Sequence, residues 1–121
     1  SLGEIARGRG KTNYEFSTSN PMWRATLETL DFLPLATVDY SGGLVITDWY
    51  TDTDAASDSL KITVRFLSNE IKTNSLKVIV HKRTCKEFNK CKTNILQSKI
   101  SEELTRTILA KAVVLEKNKK R

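Results

Sequence analysis

The sequence predicts a two-layer α+β domain: an N-terminal helix, an antiparallel sheet of four to five strands, and a C-terminal helix packed on the same face. Three observations predict it. Asn20-Pro21 opens an amphipathic stretch, Lys61–Phe66 alternates polar and apolar residues, and a helical apolar repeat follows Ser101. Strands in an unbroken run need only hairpin connections, so the sheet is antiparallel.

The elements follow in chain order. Residues 1–20 hold three glycines and the polar cluster Ser17-Thr18-Ser19-Asn20, and read as an extended arm or linker. Asn20 can cap a helix whose first position is Pro21, because proline needs no N–H there. Met22, Ala25 or Thr26, Leu30 and Phe32-Leu33 mark its apolar side, with Trp23 and Leu27 beside it. Pro34 disfavours helical geometry at Leu33, so the helix is expected over 21–32. Trp23 is expected to pack on the sheet.

Leu35–Tyr40 and Leu44–Tyr50 then read as a hairpin around Ser41-Gly42-Gly43. Thr51–Ser59 is polar and reads as a loop. In Lys61–Phe66 the alternation marks a half-buried strand. Asn69–Asn74 reads as a turn. Leu76, Val78 and Val80 form the apolar side of the next strand, opposite Lys77, Ile79 and His81. A last short hairpin fits residues 82–95. In the C-terminal helix Ser101 is the expected cap, and Glu102-Glu103 suit the positive end of the dipole. Leu104, Ile108, Ala112 and Leu115 repeat at helical spacing, and Lys117, Lys119, Lys120 and Arg121 suit the negative end. Residues 21–121 thus read as one domain.

Composition bounds the function. The 121 residues carry 20 Lys+Arg and 14 Asp+Glu, a net charge of +6, with 39% hydrophobic residues. That is polar but within the folded range. No stretch approaches the roughly 18 apolar residues of a membrane-spanning helix. One His and two Cys exclude the usual four-ligand Cys/His zinc cluster. His81 would have to serve any Ser-His-Asp or Cys-His enzyme, and its neighbours Lys82 and Arg83 give it the look of a surface residue.

The charge is unevenly spread. Arg24 to Asp58 holds one basic and seven acidic residues, whereas Lys72 to Lys92 holds seven basic and one acidic. A chain polarised in this way points to self-association or a protein partner. An anionic membrane surface also fits. Nucleic acid is disfavoured, because Phe88 is the only aromatic among those basic residues to stack on bases.

Asp52 and Asp54 begin like a calcium loop, but the sixth position is Ser57, not Gly, and the twelfth is Thr63, not Glu. Gly8-Arg9-Gly10-Lys11-Thr12 lacks the first glycine of a phosphate loop, and no strand precedes it. No metal, cofactor or catalytic group is assigned. An acid/base pair of Asp48 and Asp52, with Trp49 and Tyr50 lining a pocket, is the enzymatic alternative.

Cys85 and Cys91 have five residues between them, in a candidate hairpin. They read as a structural disulfide in an oxidising compartment, or as two free thiols in a reducing one. Trp49 and Tyr50 must face opposite ways on a strand, so one of them is exposed or covered by something. The expected interaction surface pairs an acidic edge, Asp48, Trp49, Tyr50, Asp52 and Asp54, with a basic hairpin, Lys82, Arg83, Lys86, Lys90 and Lys92. A second copy supplying the basic side would make a heterologous, ring-closing contact.

The block Asn20-Pro21-Met22-Trp23-Arg24-Ala25-Thr26-Leu27-Glu28-Thr29-Leu30, then Phe32-Leu33-Pro34-Leu35-Ala36 and Gly43-Leu44-Val45-Ile46-Thr47-Asp48-Trp49-Tyr50, resembles the alphaproteobacterial domain of unknown function 3576. Members share a helix with a Trp, a Pro-containing junction and a Thr-Asp-Trp-Tyr-like strand. The resemblance extends over residues 20 to about 116. It implies an exported lipoprotein, periplasmic or outer-membrane-associated, and supplies no catalytic residues. The expected role is a non-enzymatic, envelope-associated interaction or structural module. The alternatives are a small carboxylate-based enzyme, or a basic module binding nucleic acid or anionic lipid.

Overall fold

A computed structural model describes residues 20–51, 57–87, 89–96 and 99–119. The expected arm over residues 1–20 lies outside these except for Asn20, as do the glycine-rich run at 8–12 and Asp52 and Asp54 of the acidic loop. Helix α1 spans Pro21–Thr29, strand β1 Leu35–Asp39, β2 Leu44–Thr47, β3 Asp58–Phe66, β4 Leu76–Glu87, β5 Lys90–Ile95 and helix α2 Lys99–Lys119. A single 3-10 turn, Thr73–Ser75, precedes β4. The five strands form one antiparallel meander in sequence order.

Helix α1 starts where the sequence places it. The Asn20 side-chain oxygen accepts hydrogen bonds from the backbone N–H of Met22 (2.8 Å) and Trp23 (3.4 Å). Its Nδ2 donates to Asn69 Oδ1 at 2.9 Å, which ties the cap to the β3–β4 connection. The helix ends at Thr29, short of the expected 32. Leu30 N–H still reaches Thr26 O, and Leu33 N–H then closes a turn on Leu30 O. That turn buries Leu30 and Leu33 and leaves Phe32 71% exposed.

The first hairpin turns through one residue more than expected. Tyr40 belongs to the turn, with Gly43 N–H bonded to its carbonyl. Gly43 has φ 63°, a conformation glycine adopts without strain. The Asp39 carboxylate accepts from Gly42 N–H and Ser41 Oγ, and a Cβ at Gly42 would collide with it. Strand β2 stops at Thr47, not Tyr50. Strand β3 begins at Asp58, so Asp58 and Ser59 are strand and not loop; β4 is long enough to pair them with Thr84 and Arg83.

Register decides the core. Ile62, Val64 and Phe66 of β3 lie opposite Val80, Val78 and Leu76 of β4, and Val45 of β2 lies opposite Val64. These residues share one sheet face, because side chains alternate along a strand. Both helices cover that face. Met22, Trp23 and Ala25 from α1, Leu30 just after it, and Ile108 and Ala112 from α2 are buried in the same cluster. The Trp23 ring lies 5.8 Å from Phe66 and 4.9 Å from Tyr40. In α2, Leu104 and Leu115 pack partly buried beside Ile108 and Ala112, as the helical spacing requires. Ser101 does not cap α2: the helix begins at Lys99, and the Ser101 carbonyl accepts the Thr105 hydroxyl from within the first turns.

The double role of Asn20 yields a prediction. Asn20→Ala loses about 1–2 kcal/mol, combining the cap with the bond to Asn69. Asn20→Asp keeps the capping oxygen and loses roughly half as much. Urea unfolding of both variants checks the order.

Candidate functional site

The face of the sheet opposite the helices carries the candidate site. At the end of β2, Ile46 pairs with Thr63, but the next bridge joins Tyr50 to Leu60. The chain on the β2 side therefore holds one extra residue, which is a β-bulge. Thr47 makes the bulge feasible. Its hydroxyl, fully buried, accepts the Ile62 N–H at 3.0 Å and donates to the Asp48 carbonyl at 2.9 Å. Asp48 braces the other side: its N–H reaches the Pro34 carbonyl, and its carboxylate accepts the Trp49 N–H at 2.9 Å.

Beyond the bulge, Trp49 and Tyr50 part as strand alternation requires. Tyr50 packs against the core and meets the exposed Phe32 ring edge-on at 6.3 Å. Trp49 lies on the outer face. The Arg83 guanidinium carbon stands 4.3 Å from its ring centroid, and Lys61 Nζ stands 5.4 Å from it. The ring face attracts both cations. The Arg83 Nε is buried and has no hydrogen-bond partner among the described residues.

The structure thus brings together Trp49, from the expected acidic edge, and Arg83, from the expected basic strand, within one chain. It divides the rest of the basic hairpin. Lys82 bridges Asp58 at 3.4 Å, and Lys90 bridges Glu87 at 3.5 Å. Lys86, Lys90 and Lys92 line a concavity of about 550 Å³ with Cys91 at the far end of the β4–β5 hairpin. Cys85 and Cys91 lie directly opposite each other and are joined as a disulfide.

Sequence reasoning missed three members of the outer face: Lys61, Arg65 and Lys77. They stand at alternate positions, as do His81 and Arg83 on β4, and that alternation was the available signal. His81 lies opposite Lys61 on one side and Ile95 on the other. Its cross-strand neighbours therefore include no carboxylate to orient the ring. Glu70, in the β3–β4 connection, is held below the usual carboxylate range by the Lys72 hydrogen bond and charge. Among the described residues no group of three His, Cys, Asp or Glu could hold a metal ion, and no helix is long and apolar enough to cross a membrane.

A family model described as "Domain of unknown function (DUF3576)" matches residues 16–117. An uncharacterized protein of Rickettsia prowazekii (strain Madrid E) is 32% identical over 65 residues. That alignment covers 54% of this chain and 39% of the relative, so the match spans well under half of the relative's length. No solved structure matches the chain.

Thr47→Val tests the bulge. It preserves shape but leaves the buried Ile62 N–H unpaired, at about 1–3 kcal/mol. Thr47→Ser retains the hydroxyl and most of the stability. Chemical denaturation measures both, and the Trp49 contribution to near-ultraviolet circular dichroism changes only in the Val variant.

Proposed function

As a chain that belongs to the DUF3576 family, this protein serves, we propose, as a non-enzymatic interaction module of the bacterial envelope that self-associates through oppositely charged sheet edges. The observation that carries the reading is the state of the two edges. All five residues of β1 and all six of β5 are exposed. An edge strand presents unpaired N–H and C=O groups, ready to pair with another strand. Leu35 and Val38 of β1, with Phe32 and Tyr40 on either side of the strand, are exposed apolar residues of the kind that marks a contact surface.

Charge gives the pairing its direction. The β1 side bears exposed Asp31, Asp39 and Asp48, while β5 bears exposed Lys92 and, beside its partner Glu87, Lys90. Two copies meeting β1 to β5 match acid to base, whereas β1 meeting β1 sets like charges together. Such a contact is heterologous, and it forms a ring where the rotation closes.

Two observations support the envelope and the non-enzymatic role. The Cys85–Cys91 disulfide belongs to an oxidising compartment, in keeping with an exported protein. Of the alternative acid/base pair, Asp48 spends one carboxylate oxygen on the Trp49 N–H, in keeping with a bracing role, and Asp52 lies outside the described residues.

Light scattering at low salt and high protein concentration is expected to give a mass above the monomer that falls as salt rises. Val38→Lys, on the exposed β1 edge, returns the monomer at a cost of roughly 1 kcal/mol in stability. A monomer under all conditions overturns self-association. The compartment has its own test. The native protein, denatured without reductant, shows no free thiol, and Cys85→Ser/Cys91→Ser loses about 2–2.5 kcal/mol. Two free thiols overturn the oxidising assignment.

A further inference from the structure

The outer face of the sheet holds cations that have no ion-pair partner among the described residues. Arg65 of β3 lies directly opposite Lys77 of β4. Like charges at opposed positions repel, and natural sheets usually avoid them. Lys61 and Arg83 form a second cationic centre over Trp49. Lys61 and Arg65 are four residues apart on one strand, so the two centres lie about 13 Å apart. None of these four cations has a carboxylate partner among the described residues, in contrast to Lys72, Lys82 and Lys90. In register the outer-face positions of β2 to β4, which are Leu44 and Ile46, the alternate residues of β3 from Ser59 to Arg65, and those of β4 from Lys77 to Cys85, carry no carboxylate. Asp39 stands on this face at the β1 edge, opposite Leu44, with its carboxylate bonded to Ser41 and Gly42 of the turn.

An external anion would relieve this like-charge register, which has no ion-pair partner among the described residues. We propose that this face is a docking surface for an anionic membrane leaflet. Three features select a phospholipid surface over other polyanions. Ile46 and Ile79 share the face with the cations, and Ile95, 55% exposed, lies at its β5 side, so the partner meets apolar atoms as well as charge. The Trp49 ring is already taken by Arg83 and Lys61, so it is not offered to a nucleic-acid base for stacking. For the same reason it supplies no aromatic anchor to a protein partner's pocket. Adsorption to anionic lipid needs neither a pocket nor a free ring; it gains with each Lys or Arg brought near the headgroups.

The test is co-sedimentation of the full chain with phosphatidylcholine vesicles, with and without phosphatidylglycerol. Binding is expected only where phosphatidylglycerol is present, and it is lost at high salt. Each outer-face cation is worth roughly fivefold in partitioning, so Arg65→Gln/Lys77→Gln weakens binding on the order of twentyfold. The same variant unfolds at an equal or higher denaturant concentration, because it removes a repulsion. Lys111→Gln/Lys117→Gln, on exposed positions of α2, removes the same net charge and leaves binding within about twofold. Equal losses from the two double variants overturn the assignment to this face. Failure to bind anionic vesicles overturns it, and so does preferential binding to single-stranded DNA or to an acidic polypeptide.

Discussion

The pairing of β3 with β4 governs both layers of the molecule. Ile62, Val64 and Phe66 meet Val80, Val78 and Leu76, and the positions between them carry Lys61, Thr63 and Arg65 against His81, Ile79 and Lys77. A slip of one residue would turn every side chain on one strand to the other face. It would bury lysine and arginine under the helices and expose the valines. The connection between these strands is long, so no two-residue turn sets the register. The apolar pattern sets it, with help at the base of the hairpin from the Leu67 N–H bonded to the Ser75 carbonyl and the Ser68–Ser75 hydroxyl pair.

The bulge after β2 is the second constraint, and it connects the core to the outer face. Without the extra residue, the strand would carry straight on from Ile46 and the residue before Tyr50 would occupy a different side. Thr47 supplies a side-chain acceptor where the ladder lacks one, so the buried Ile62 N–H keeps a partner. A valine there would fill the same space and fail. The outcome is that Tyr50 joins the core while Trp49 emerges beside Lys61 and Arg83. A hydroxyl on the inner face thus determines what the outer face presents.

Much of the fold was legible because local chemistry and packing agree. Asn20-Pro21 is a helix start by capping and by proline's fixed geometry, and the structure uses both. The alternation of Lys61–Phe66 reads directly as inner and outer faces, and Cys85 and Cys91 fall opposite each other as a hairpin would place them. What was not legible depends on tertiary pairing. Asp58 and Ser59 look like loop until a long β4 supplies partners for them. Ser101 looks like a cap until the helix begins two residues earlier. Thr47 looks like any strand threonine, and only the mismatch between the Ile46 and Tyr50 pairings reveals its task.

Charge shows most clearly what the linear reading lacks. Counted by segment, the chain is acidic and then basic. Folding sorts the same residues by strand parity instead. Lys82 and Arg83 are neighbours in sequence, yet one bridges Asp58 while the other stacks on Trp49 across the sheet from Lys61. The result is two separate surfaces, a pair of oppositely charged edges and one cationic face. They do not compete. Edge pairing would draw on backbone groups that point within the plane of the sheet, and docking would draw on side chains perpendicular to it. A chain engaged at both edges would therefore still present Lys61, Arg65, Lys77 and Arg83. Several copies joined by their edges would multiply these contacts without adding any new one, which raises avidity more steeply than affinity.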